Sequence, residues 1–515
     1  MALDQLSVIG QQRDTLAERD QRLAAREALI AEHERTLAYR QTKIDALTAE
    51  IARLRRWQFS ARSERMDPAQ RALFEEQVAQ DIAAVEAELA ALTTPAPTTP
   101  ARRQPKRDAL PAHLFRIEHR HEPESCQCAS CGGALTPIGE DVSEQLDCEP
   151  VRFFVHRHVR PKFACRSCQT ITSAPVPAAI IDRGMAAPGL LAHVLVSKYA
   201  DHLPLYRQES IYRRSGVELA RSTLASWVGA SGVALKPLVD AMRLELLTQP
   251  VLHADETPLA VLDPGAGQTQ RAYVFAYRSA DPDCAPIVVF DFCGNRSGRH
   301  ADRFLGDYRG ALMVDDFGGY KALFTSGKMT ELACLAHIRR KFFDLHAAGK
   351  SVIAQEALER IAGLYRVEAE ARELDRDARH AYRQQHALPR LTALRAWLDE
   401  LRPKVSDGSG TAKAIDYTLK RWAALIRYVG DGRYPIDNNP LENAIRPIAL
   451  GRRNWLFAGS ESAGQRAAAI MSLIATAKAN GHDPHAYLKD VLTRLPTQPN
   501  RRIDELLPHR WQPAA

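Results

Sequence analysis

Val251-Leu252-His253-Ala254-Asp255 opens the part of the chain that decides its fold, and Ala311-Leu312-Met313-Val314-Asp315 completes the pattern. Each is a short apolar run that stops at an aspartate, as a buried strand does when it reaches a polar edge. Between them, Ala272 to Arg278 alternates as a second strand and Pro286 to Phe292 reads as a third. A short helix is expected over about 300–306. After the fourth strand come another helix, a fifth strand at Glu331 to Leu335, and a helix from His337. The order β-β-β-α-β-α-β-α predicts one mixed sheet with helices on its faces. Residues 343–430 read as almost wholly helical, an insertion whose last helix carries the apolar stripe Ile415, Leu419, Trp422, Ile426 and Val429.

The two strand-end aspartates gain a third candidate partner in Asp437-Asn438-Asn439-Pro440-Leu441-Glu442. Pro440 fits a first helical position with Asn439 as N-cap, which puts Glu442 in the first turn. Three carboxylates converging on one point suit two Mg²⁺ (or Mn²⁺) ions ~4 Å apart, the arrangement of phosphodiester chemistry. The plainer readings are that Asn439 and Glu442 form a capping box and that Asp255 and Asp315 are turn residues. Asp316 competes with Asp315, and strand alternation predicts that the two point in opposite directions.

Upstream, residues 176–247 read as helical. Gly189 to Tyr199 is an apolar helix; two more flank a turn at Ser215-Gly216, with Arg221 at the start of the second and Ser222 as its N-cap. This pattern is that of a helix-turn-helix, whose second helix would present its N-terminus to DNA, or of a plain helical domain. Cys128-Ala-Ser-Cys131 and Cys165-Arg-Ser-Cys168 are two knuckles able to hold one structural zinc, with Cys126 as an alternative to Cys128 and Cys148 as a bystander. Residues 93–112 form a proline-rich linker in which Arg102, Arg103, Lys106 and Arg107 are basic. In residues 1–92, Ile9, Leu16, Leu23, Ile30, Leu37, Ile44 and Ile51 recur in heptads, the seam of a dimerising coiled coil or of a helix packed on its own chain.

The chain of 515 residues has room for three or four domains. Its 45% hydrophobic and 25% charged residues are ordinary for a soluble globular protein, and no run approaches the ~18 apolar residues of a membrane span. The polar N-terminus does not read as a signal peptide. Together with an odd count of nine cysteines, this argues for the cytoplasm rather than a secreted disulfide framework. The net charge of +7 is concentrated in the linker and in Arg152, Arg157, Arg160, Lys162 and Arg166, which predicts that the linker and zinc module face phosphates.

These motifs, in this order, resemble the insertion-sequence-66 family of bacterial DDE transposases, TnpC type. The likeness covers almost the whole chain. It includes Arg56 to Glu64 after the heptads, both knuckles, Ser197 to Arg207, His253-Ala254-Asp255-Glu256-Thr257, Asp315, Cys334-Leu335-Ala336-His337, Asp437 to Pro447, Gly451 to Phe457 and Asp504 to Pro508. Ser60 and Asp316 stand where the family usually has glycine. The resemblance implies an RNase H-like core with Asp255, Asp315 and Glu442 as Mg²⁺ ligands, and DNA (transposon ends and target) as substrate. It also implies helper proteins encoded beside it.

By chemistry, Arg446 would hold a phosphate or orient Glu442, and Arg452 and Arg453 would grip the DNA backbone. Trp455 would stack on a base or fill the core. Cys334 and His337 are too few for a metal by themselves and read as a buried structural pair. The expected architecture is multidomain α+β. A coiled coil (1–92), linker (93–112), zinc ribbon-like module (113–175) and helix-turn-helix-like region (176–247) precede the catalytic core (248–460, with its helical insertion at about 343–432) and a C-terminal helical domain (461–515). The alternative is a non-catalytic zinc-and-helix DNA-binding protein, a regulator or domesticated transposase.

Overall fold

The computed structural model describes residues 26, 30, 32–55, 68–92, 110–122, 127, 133–149, 152–182, 184–263, 268–349, 351–455 and 457–513. Helix α1 (residues 32–55) and helix α2 (Pro68–Leu92) share a small core of Leu47, Ile51 and Leu54 against Ile82, Val85 and Leu89. The last heptads therefore bury their seam on their own chain. Earlier seam positions, Ile30 and Leu37, are exposed, and Ile9, Leu16 and Leu23 lie outside the described residues. The other face of α2 is polar and buried. Glu76 pairs with Lys198 at 2.5 Å, Asp81 with Arg466, and the Gln77 side chain accepts from the Gly459 amide at 3.3 Å. A charge taken out of water this completely must be matched, and each of these is.

A first sheet follows, with β1 (Phe115–Arg120), β2 (Leu135–Glu149), β3 (Arg152–Cys165) and β4 (Ile171–Ser173). Its order is β1-β3-β2 with β4 also on β3; β1 runs parallel to β3, and β2 and β4 antiparallel. Helices α3 (Pro188–Tyr199) and α4 (Leu205–Arg214) lead to α5 (Arg221–Leu246). The turn falls where expected, with Gly216 at φ +76° and the Val217 amide bonded back to the Tyr212 carbonyl at 3.1 Å. The N-cap of α5 is Ala220, without a side-chain cap, so Ser222 does not serve as one. At 26 residues with twelve of them buried, α5 is a central packing helix, longer than a short reading helix needs to be.

The main sheet is built from β5 (Val251–Asp263), β6 (Gln268–Ser279), β7 (Val288–Cys293), then α6 (Gly298–Leu305), β8 (Ala311–Val314), α7 (Lys321–Thr325) and β9 (Thr330–Ala333). The spatial order is β7-β6-β5-β8-β9; the first three strands are antiparallel neighbours, whereas β8 joins β5, and β9 joins β8, in parallel. The parallel strand β8 is buried along its whole length, as a strand covered on both faces must be. The element order read from sequence is correct. Leu335, however, begins a helix instead of ending a strand.

The helices α8 (Leu335–Gly349), α9 (Val352–Glu370), α10 (Arg376–His386), α11 (Leu388–Leu401) and α12 (Gly410–Leu425) form a layer with its own apolar core, in which Ile415 and Trp422 are buried. Next come α13 (Asn439–Trp455), β10 (Phe457–Ala458, parallel to β5), α14 (Glu461–Ala479) and α15 (Pro484–Arg494). Helix α14 covers the edge strand β7. Ser472 Oγ accepts from the Phe290 amide at 2.8 Å, and Thr476 Oγ1 accepts from the Val288 amide at 3.0 Å. Side chains thus satisfy backbone groups that an open edge would offer to another strand. Among the described residues, no helix is long and apolar enough to cross a membrane.

Candidate functional site

Asp255 does not end a strand. β5 continues to Asp263, but its parallel neighbour β8 is registered only from Val251↔Ala311 to His253↔Met313. Continuing that register brings Asp255 level with Asp315, where β8 stops and the sheet opens. The Asp315 carboxylate accepts from the Phe317 amide at 2.8 Å, and Asp255 accepts from the Glu256 amide at 2.8 Å. Burial pushes the Asp255 carboxyl up to about 7; the negative charges of Glu256, Asp315 and Glu442 push in the same direction. Asp316 is turned away, to Lys420 and Arg421 of α12 and Lys321 of α7. Alternation thus separates the two aspartates, as expected.

Asn438 joins this strand to the helix that bears Glu442. It is fully buried, with Oδ1 2.8 Å from His253 Nδ1 and Nδ2 donating to the Ala254 carbonyl at 3.3 Å. Its own amide donates to Cys334 Sγ at 3.2 Å, and the Leu335 amide donates to the Ile436 carbonyl at 3.1 Å. His253 is held neutral: burial, with Arg278 nearby, lowers it to about 3. The Glu442 amide bonds to the Asn438 carbonyl at 3.0 Å, so Asn438 anchors the first turn of α13. Asn439 does not form a capping box with Glu442; its side chain donates to Asp437 at 2.7 Å. Glu442 instead faces His337, with Oε1 3.7 Å from Nδ1.

Cys334, His337 and Glu442 come together. One donor atom from each lies within 4.8 Å of the others, a set chemically able to hold a metal ion. The pair read as purely structural therefore gains a third member from α13, a residue 105 positions beyond His337 and invisible to local spacing.

Sequence reasoning also missed a supporting layer. Glu256, its side chain 1% exposed, pairs with Arg296 and accepts from the Tyr320 hydroxyl at 3.0 Å. Burial raises this carboxyl in spite of Arg296. From α12, the Arg421 guanidinium donates to the Asp315 carbonyl at 3.3 Å and pairs with Glu331. Arg296 follows two residues after a glycine and Arg421 lies in a helical stripe; neither carries a local signal.

At the first sheet, β3 ends at Cys165, and the chain turns back through Gln169 (φ +59°), with the Cys165 amide bonded to the Thr170 carbonyl at 2.9 Å. Cys168 Sγ lies 3.2 Å from Thr170 Oγ1. Leu135, four residues after Cys131, pairs with Cys165, so the chain leaves the first knuckle at the end of the sheet that carries the second. That placement fits one shared zinc. Cys126, Cys128 and Cys131 lie outside the described residues. Cys148 is buried in β2, its thiol pushed up to about 12 by burial.

The DNA-facing candidates divide. Arg102, Arg103, Lys106 and Arg107 lie outside the described residues. Arg157 pairs with Glu118 at 2.7 Å, Lys162 with Asp141 at 2.7 Å, and Arg160 with the same aspartate at 4.0 Å. Arg221 is 3.4 Å from Glu209. Arg452 donates to the Pro258 carbonyl at 2.8 Å and so ties α13 to β5, whereas Arg446 and Arg453 are exposed. Of Trp455, the structure describes only the backbone, in the last turn of α13.

A helix-covered mixed sheet with Asp255 and Asp315 level where its parallel strands part, Cys334, His337 and Glu442 together nearby, and a knuckle-bearing β module define a multidomain α+β protein. Four family profiles fall along the chain. "Transposase IS66 family" matches residues 183–466, "IS66 C-terminal element" 472–509, "zinc-finger binding domain of transposase IS66" 125–169, and "Transposase C of IS166 homeodomain" 46–118. The chain belongs to the IS66 transposase family. Its relatives include three proteins of Sinorhizobium fredii described only as uncharacterized. One is 39% identical over 97% of this chain and 95% of its own length, and another 39% over 78% and 81%. A third is 36% identical over 92% and 90%.

Proposed function

We propose that this transposase works by DDE chemistry on an RNase H-like core, with Asp255, Asp315 and Glu442 as the ligands of Mg²⁺ (or Mn²⁺). The observation that carries this reading is that the register of β5 on β8 brings the buried Asp255 level with Asp315 where the parallel strands part, with the charge of Glu442 on α13 acting on the same carboxyl. Such a set is costly without a cation and receptive to one. The order of three antiparallel strands extended by two parallel ones supports the RNase H-like assignment. Divalent metal there would activate a water or a 3′-hydroxyl and neutralise the leaving oxygen.

The chain's own groups do the rest. Asn438 fixes the distance between β5 and α13, and Arg421 holds the end of β8. Glu256, Arg296 and Tyr320 stiffen the wall behind Asp255. His337 orients Glu442. Cys128, Cys131, Cys165 and Cys168 hold a structural zinc. The zinc-finger region, the helices 176–247 and the basic linker recruit the transposon ends. Assembly into a homo-oligomer through the N-terminal helices would bring two ends together. The site of action is the bacterial cytoplasm, on the nucleoid, with element-encoded helpers.

Purified protein with Mg²⁺ and end DNA should nick the ends and join them to target DNA, and Asp255→Ala, Asp315→Ala or Glu442→Ala should each abolish both steps. Full activity in Glu442→Ala would remove that residue from the triad.

A further inference from the structure

Helices α8 and α9 do not close over the site. Between them lies a cleft of about 700 Å³, lined by Arg339, Arg340 and Phe343 of α8 and by Tyr365 and Arg366 of α9, and reaching His337 and Glu442. The cleft has a sequence cause. On α9 its wall is Ala362, Tyr365, Arg366 and Ala369, a helical stripe whose two alanines leave the space unfilled. Tyr365 is fixed by donating to Asp437 at 2.9 Å, so it is part of the wall and not a mobile lid.

The cleft is lined by cations without carboxylate partners. Among the described residues, Arg339, Arg340 and Arg366 have no carboxylate within 4.0 Å, although most arginines of the surrounding helices do. Three guanidiniums around one opening repel one another unless a polyanion lies among them. Arg339 stacks over Phe343, 5.8 Å from its ring centroid, and Phe343 is 49% exposed, a flat apolar face kept at the rim at the cost of its hydration. Guanidinium groups with an exposed aromatic make the surface that takes a nucleic-acid strand, phosphates on the cations and a base on the ring.

We infer that this cleft holds a single strand of DNA, its phosphates on Arg339, Arg340 and Arg366 and one base against Phe343, and so threads that strand past Glu442. A cleft of about 700 Å³ between two helices has room for a short stretch of one strand and not for a double helix. The inference deepens the reading of the chain as a DNA strand-transfer enzyme and rests on it for the identity of the polyanion. The strand binds without metal and without cleavage.

The test uses the full-length chain and fluorescence anisotropy with a short single-stranded oligonucleotide and, separately, with duplex end DNA. Arg339→Ala/Arg340→Ala/Arg366→Ala should weaken single-strand binding roughly 10- to 100-fold and reduce the slope of log affinity against log salt by about 2. Phe343→Ala should weaken it about tenfold while leaving the slope unchanged. Duplex binding should stay within about twofold in both variants. All four side chains are exposed, so unchanged thermal melts are expected and keep the comparison clean.

Equal losses for single strand and duplex would overturn the inference in favour of a general duplex contact. Unchanged single-strand binding would overturn it outright. An Asp255→Asn protein separates the two proposals. If it binds the single strand through the three arginines, the cleft stands whatever becomes of the metal chemistry. If the wild type cleaves DNA while the triple-arginine variant binds single strands normally, the cleft alone falls.

Discussion

The basic strand β3 and the α8–α9 cleft carry positive charge in opposite ways. In β3 the cations are consecutive enough to see in the sequence, yet β1 and β2 lie on either side and bring Glu118 and Asp141 against Arg157 and Lys162. In the cleft two arginines stand in the short run Arg339-Arg340-Lys341 of one helix and the third, Arg366, among acidic neighbours on another, and the fold leaves all three without carboxylates. A run of charge in sequence measures what the chain carries; the unpaired charge that meets a partner depends on what the neighbouring elements bring. Of the zinc module's expected phosphate-facing cations, Arg157, Arg160 and Lys162 are matched by carboxylates, whereas Arg339, Arg340 and Arg366 beside Glu442 are not.

This contrast can be broken in several places. The largest effect belongs to the carboxylate site beside the cleft: Asp255→Asn should cut strand cleavage roughly 10³-fold or more, with end binding within about twofold by gel shift. A parallel loss of binding would mean that Asp255 supports the surface instead of the chemistry. Next comes the zinc module. Cys165→Ser with Cys168→Ser should lose the bound zinc, measured by elemental analysis, and unfold the first sheet, whose stability then depends on the metal. The melting of the main sheet should be unaffected; a single merged transition lost in the variant would show that the regions fold as one unit.

Third, Asn438→Ala removes two buried hydrogen bonds between β5 and α13, and should cost about 2–3 kcal/mol in urea unfolding along with most cleavage activity. A change under about 0.5 kcal/mol would deny Asn438 its anchoring role.

A smaller effect separates the regions by pH. Burial, reinforced by His119, His121 and His156, lowers His158 in the first sheet to about 4. The unfolded chain takes up this proton near pH 6.5 and the folded sheet only near 4, so the unfolded state binds more protons between those values. Stability from this group is present above pH 6.5 and is lost as pH falls toward 4. His158→Gln should flatten that part of the pH–melting profile; an unchanged profile would sink the assignment. The smallest effect is the most direct check on the comparison. Arg157→Ala with Lys162→Ala should change duplex binding less than about threefold, since exposed pairs contribute little and are already neutralised. A tenfold loss would restore the basic strand as the DNA surface.

Much of the fold was legible. Alternation and apolar runs showed the sequence of strands and helices because side-chain period and burial are local properties, and the helices after His337 followed from their spacing. The site was legible only as separate motifs. Asp255 and Asp315 stood out at the ends of apolar runs, and Glu442 in a helix start. Misreadings arose where the deciding partner was distant. Residues beyond Asp255 were not seen as strand, because β6 and β10 support them. Asn439 looked like a cap, because its neighbour Asn438 gave no sign of binding His253 at the far end of the core. The heptad seam read as intermolecular or as packed on its own chain, and its end is covered by α2 of the same chain.

By itself the sequence determined the element order, the knuckles, the acidic and basic residue types and, through their order, the family. Periodicity, turn chemistry and motif spacing act over a few residues and are written in the chain. Only the tertiary structure decided that Asp315 comes level with Asp255 while Asp316 turns to Lys420, that Cys334 and His337 lie with Glu442, and which arginines of the cleft lack carboxylates. Those outcomes depend on distances between elements remote in sequence, set by the register of β5 on β8 and the packing of α8, α9 and α13 on that sheet.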